Sequence, residues 1–194
     1  MRNELLNRIL TSIVLLPILI YATVHAGIYL LFLLGIFYLL SIFEIIKNTK
    51  NLLFISFASV VLFFSFYSYY YLRDVTQQSL IVLLWILTST FLSDSGGYIF
   101  GKLFKGKKIT KISPNKTYSG AAGSFILSFS SLPLLNISQV FFLNELTINF
   151  LNLKYFIITI FISFVCQIGD LFVSLLKRKI NIKNISNILP GHGG

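Results

Sequence analysis

The chain has 194 residues, of which 56% are hydrophobic and only 11% are charged, and its mean hydropathy is +0.83. A water-soluble domain of ordinary composition carries roughly a quarter charged residues, so a soluble globule is excluded and lipid is the natural solvent. Sixteen Lys+Arg against six Asp+Glu give a net charge of +10; the bases lie in short clusters between apolar runs, which favours anionic headgroups and nucleotide phosphates over nucleic acid.

Six runs are long and apolar enough to cross a bilayer, which takes roughly 20 residues: 9–26, 28–46, 52–72, 79–99, 119–143 and 155–176. Backbone groups in lipid must be satisfied within their own segment, so all six are read as helices of an all-α polytopic membrane protein. The first run ends in Val24-His25-Ala26, which also resembles a signal-peptide cleavage site. Tyr67, Tyr69, Tyr70 and Tyr71 crowd one end of the third run, as an interfacial aromatic belt does. The fifth run contains Pro133 and Asn136 and is expected to bend or end early.

With these spans, Arg73 and Lys154 fall on one side and the other fourteen basic residues on the opposite side. The positive-inside rule then predicts two cytoplasmic termini. The longest polar stretch, KGKKITKISPNKTY from Lys105 to Tyr118, holds five lysines and no acid. The single cysteine, Cys166, lies in an apolar run and reads as a small buried hydrophobe.

Glu4, Glu44, Asp74 and Glu145 sit at or near span ends and read as solvated charges. Asp94 and Asp170 differ. Each lies inside an apolar helix near its cytoplasmic end, eight residues before Lys102 and seven before Lys177. Carboxylates at such depth face a polar cavity or a partner. The neighbourhood of Asp94, SDSGGYIFGK, is glycine-rich, which lets a helix or a ligand approach closely. Gln167, Asp170, Ser174 and Lys177 or Arg178 recur at helical spacing as one polar stripe. Two carboxylates at similar depth suit a divalent cation, and the adjacent lysines suit phosphates. Helix pairing through Asp–Lys contacts is the structural alternative, and an ion-binding transporter is another.

The segment SLLKRKINIKNISNILPGHGG, Ser174 to Gly194, closely resembles the signature of the phosphatidate cytidylyltransferases, the CDP-diacylglycerol synthases. SDSGGYIFGKLF and KISPNKTYSG resemble two further segments of that family, so the likeness covers roughly Trp85 to the end. It implies one transmembrane domain over 1–194, with spans in 1–78 and the family motifs in 79–194. The implied enzyme transfers cytidylyl from CTP to phosphatidic acid in the bacterial inner membrane, releasing pyrophosphate and using Mg2+. It works amid membrane lipid, takes no nucleic acid and leaves room for a homodimer.

The resemblance casts Asp170 as metal ligand and Asp94 as a second ligand or cavity-lining group. Lys116, Lys177, Arg178 and Lys183 neutralise phosphates, and Ser113 and Thr117 donate hydroxyls. The His192-Gly193-Gly194 turn helps close the site. Asn184 stands where the family has an aspartate, a metal position here filled by an amide. Tyr118 and Ser119 replace a tryptophan and an acid. The chain ends at Gly194, where the family continues with an Asp-Arg-x-Asp element, so C-terminal truncation relative to the family is expected. The competing readings are a truncated remnant that binds anionic lipid or assembles with an intact copy, and a relative acting on another acceptor.

Overall fold

The computed structural model describes residues 14, 15, 17–74, 77–110, 113, 116–143 and 148–179. Seven helices occupy them: α1 (17–25), α2 (Gly27–Asn48), α3 (Leu52–Asp74), α4 (Gln77–Phe104), α5 (Tyr118–Ser128), α6 (Ser131–Leu143) and α7 (Leu153–Lys179). Five spans among the described residues are long and apolar enough to cross a membrane; α5 and α6 together form one of them. The chain is an all-α integral membrane protein. Its outer side chains agree: Phe32 is 71% exposed and Phe141 77%, a surface that only lipid solvates cheaply. The first sequence run lies partly outside the described residues, and its described part is α1.

The chain divides into two compact units, one holding α1–α3 with the end of α7, the other running from Leu80 to Leu176. In the first, Ala26 and Gly27 both adopt positive φ, 54° and 55°, and reverse the chain with almost no loop. Alanine there is strained, because its Cβ crowds the carbonyl. The last carbonyls of α1 lack helical partners, and Arg73 fills the gap: Nε donates to Thr23 O at 2.5 Å and Nη2 to Val24 O at 2.7 Å. The ends of α1 and α3 therefore meet on one side, as alternation of spans requires. The tyrosine group divides its labour. Tyr67 and Tyr71 stack outside with ring centroids 6.2 Å apart. Tyr69 and Tyr70 turn inward onto Ala22, Leu30 and Leu34, where the Tyr69 hydroxyl and Thr23 Oγ1 lie 2.9 Å apart.

The second unit is built differently at its two ends. At one, Trp85, Leu132, Leu135 and Phe150 are buried together with Ile81. Trp85 meets Phe150 and Tyr155 with ring centroids 5.3 and 5.2 Å apart. Asn136 and Gln139, one turn apart on α6, clamp the backbone that follows. Phe150 N donates to Asn136 Oδ1 at 2.9 Å, and the Gln139 amide bonds Ile148 O and N at 3.0 Å each. Asn136 is thus a clamp and not the cause of the bend.

The fifth run does break, at Phe129–Ser130 between α5 and α6. Pro133 has no N–H to give the Phe129 carbonyl, and the Leu132 N–H takes that acceptor at 3.1 Å. Proline then sits in the first turn of the new helix, where it is tolerated.

At the other end, α4 and α5 cross on glycine. A Cβ on Gly120 would lie 2.7 Å from Gly97 O, one on Gly97 2.8 Å from Ser124 Oγ, and one on Gly96 would collide with Gly123 O. Only hydrogen at these positions lets the backbones touch.

Candidate active site

The stretch after α4, read from sequence as a plain loop, pairs with itself. Lys108 and Thr117 form an antiparallel bridge; Ile109 N donates to Lys116 O at 2.9 Å and Tyr118 N to Lys107 O at 3.0 Å. Thr117 then caps α5, its hydroxyl oxygen accepting from Gly120 N at 3.1 Å. The isolated bridge on one side and the cap on the other fix the backbone of Lys116. Its ammonium reaches α7 and meets Asp170 Oδ2 at 2.8 Å. Both partners stay accessible, with side-chain exposures of 27% and 55%, so the pair is reachable from solvent and adds little to stability.

This ion pair opens on a cavity of about 380 Å³. Asp94, Gly97 and Tyr98 line it from α4, Ile109, Lys116 and Thr117 from the hairpin and cap, Gly120, Ala121 and Ser124 from α5, and Gln167 and Asp170 from α7. The glycine crossing explains the space: α4 and α5 approach without large side chains, so nothing bulky fills the angle between them and α7. Behind the cavity, Ser93 and Ser163, both fully buried, hydrogen-bond at 2.7 Å. That bond ties α4 to α7 one residue from Asp94 and two turns from Asp170. Gln167 reaches back to Ser163 Oγ at 3.5 Å.

Asp94, Asp170, Lys116 and Thr117 are therefore brought to one cavity. Ser113 is not among its lining residues; its backbone serves the hairpin, its N–H donating to Thr110 Oγ1 at 3.3 Å and its carbonyl accepting from Lys116 N at 3.0 Å. Lys177 and Arg178 form the basic last turn of α7, roughly 10 Å along the axis beyond Asp170, and do not line the cavity. Lys183, Asn184, His192, Gly193 and Gly194 lie outside the described residues.

Cys166 corrects its sequence reading. It is only part-buried, and its thiol sits 3.8 Å from Asp94 Oδ1, a weak contact from α7 to α4. Sequence assigns no individual role to Ile109, Gly120, Ala121 or Ser124, because only the crossing of α4 with α5 and the pairing of the hairpin bring them to the cavity.

Among the described residues no cluster of three His, Cys, Asp or Glu side chains could enclose a metal alone. Two carboxylates on one open cavity fit a different use, a magnesium ion that arrives with phosphates and keeps part of its shell from them and from water.

Comparison with known proteins identifies the family. The model of the cytidylyltransferase family matches residues 46–194, about three quarters of the chain. A phosphatidate cytidylyltransferase of Rickettsia felis is 32% identical over 203 residues, covering 100% of this chain and 85% of that protein. One from Bacillus subtilis is 36% identical over 166 residues, covering 84% of this chain and 59% of that protein, and one from Rickettsia conorii is 30% identical, covering 100% and 84%. No solved structure matches the chain. Most of the chain, including every helix that lines the cavity, falls within the matched region, and the chain belongs to the cytidylyltransferase family.

Proposed function

We propose that this chain transfers cytidylyl from CTP to phosphatidic acid, giving CDP-diacylglycerol and pyrophosphate at the cytoplasmic face of a bacterial inner membrane. The observation that carries the reading is the meeting of Asp94, Asp170 and Lys116 on one cavity inside the family-matched region. A phosphate oxygen of phosphatidic acid attacks the α-phosphorus of CTP; the new P–O bond forms as the bond from that phosphorus to the β-phosphate bridge breaks. Such transfers are governed by positioning and charge neutralisation. Asp94 and Asp170 would hold magnesium, which when bound neutralises charge on the departing pyrophosphate. Lys116 exchanges its carboxylate partner for a phosphate oxygen at little cost, because its ion pair is accessible. Thr117 accepts from Gly120 N at the cap and shares a hydrogen bond with Ser119 Oγ at 3.1 Å; its hydroxyl would donate to a phosphate by giving up the Ser119 contact. The buried Ser93–Ser163 bond keeps the two carboxylates in register.

The cytoplasmic placement rests on the distribution of bases. Lys154 lies in the first turn of α7, about 24 Å along the axis from Asp170, at the end away from the lysines of the hairpin. Membership of the cytidylyltransferase family sets the transporter reading aside.

The test is to incubate membranes containing the chain with labelled CTP, phosphatidic acid and magnesium. Lipid-linked CMP is expected, and Asp170→Asn abolishes it. Product formation untouched by Asp170→Asn refutes the placement of the site.

A further inference from the structure

The cavity contains one feature that the phosphate chemistry leaves unused. Among the described residues that line it, Tyr98 is the one aromatic side chain, and the residue is 69% exposed. A tyrosine beside two carboxylates and a lysine brings no charge to phosphates, only a hydroxyl donor, and most of its surface is a ring. Its position along α4 suggests another use. Asp94, Tyr98 and Lys102 follow at four-residue steps, so they share one face of the helix, each about 6 Å further along the axis. The Lys102 ammonium lies 5.7 Å from the Tyr98 ring centroid, within range of a cation–π contact that steadies the ring. One stripe thus presents a carboxylate, then an aromatic plane, then a cation.

We infer that Tyr98 stacks on the pyrimidine base of the nucleotide while its phosphates lie at Asp94 and Asp170. A single helical turn separates the carboxylate from the ring, a separation comparable to that between the phosphate and the base of one nucleotide. The base lies toward Lys102, the end from which a water-soluble nucleotide enters. Every base has a π-face, so the ring supplies affinity and orientation and does not read base identity. The inference rests on CTP being the nucleotide of this site.

The experiment compares Tyr98→Leu, Tyr98→Phe and the wild type in mixed micelles, with CTP and phosphatidic acid varied separately. For Tyr98→Leu the KM for CTP rises about tenfold, as loss of one base–aromatic stack predicts, and the KM for phosphatidic acid stays within twofold. Tyr98→Phe, which keeps the ring, stays near wild type in both. Ribose 5-triphosphate, which has no base, inhibits the wild type and Tyr98→Leu equally. A rise confined to phosphatidic acid assigns the ring to the lipid and overturns the inference. So does an unchanged KM for CTP in Tyr98→Leu, or a loss in Tyr98→Phe equal to that in Tyr98→Leu. A wild type inactive with CTP would instead refute the function itself, so the two failures are distinguishable.

Discussion

The two ends of the second unit share α4 and follow opposite packing rules. At the end with Trp85, Phe150 and Tyr155, large rings fill the space between α4, α6 and α7. At the end with Gly96, Gly97, Gly120 and Gly123, side chains are removed until the backbones of α4 and α5 touch. The first arrangement packs rings against one another in a buried cluster. The second leaves a cavity, lined among others by Asp94, Lys116, Gln167 and Asp170. On the proposed function, the chemistry falls at the glycine end and the large buried rings at the other.

That division can be broken from either side. The largest stability effect belongs to the aromatic end: Phe150→Ala empties a fully buried site and should cost about 3 kcal/mol or more. Thermal unfolding in detergent checks the loss, and the KM for CTP in the surviving folded enzyme stays near wild type. At the glycine end Gly96→Val drives a side chain into the Gly123 carbonyl and Leu127 Cβ. Forced separation of the helices should cost about 1–3 kcal/mol and lower kcat at temperatures where the protein remains folded. Lys116→Met leaves the fold almost untouched, since the accessible ion pair adds little. Activity falls about 100-fold, as for loss of one charge-stabilising donor at a reacting centre, and Lys116→Arg recovers only part of it. Thr117→Ala removes the α5 cap for about 1 kcal/mol, while Thr117→Ser restores it. The smallest effect expected is for Ser113→Ala, whose hydroxyl is outside the cavity lining; steady-state kinetics should change less than twofold.

The spans were legible in sequence because lipid forces each backbone to satisfy itself, which makes length and apolarity nearly sufficient. Asp94 and Asp170 were legible for the same reason, a charge inside such a segment being costly enough to need a purpose. What stayed hidden depends on partners distant in the chain. The 107–118 pairing carries no alternating pattern, so its residues read as loop although they fix Lys116. The break in the fifth span could be placed near Pro133, yet its position at Phe129–Ser130 follows from which N–H takes the freed carbonyl. Asn136 looked like a helix breaker and is a clamp for Phe150. Gly120 and Gly123 gain meaning only opposite Gly97 and Gly96, and Cys166 only opposite Asp94. Single-residue chemistry was visible; pairings between helices were not.

The central claim is that two carboxylates from different helices serve one ion. Manganese binding in the presence of CTP, followed by electron paramagnetic resonance on protein in lipid nanodiscs, tests it without requiring turnover. Asp94→Asn and Asp170→Asn should each weaken binding strongly, and the double variant should lose much less than the sum of the two, because removing either ligand already dismantles the shared site. Losses that add fully, or a single variant that binds as the wild type does, would contradict the account.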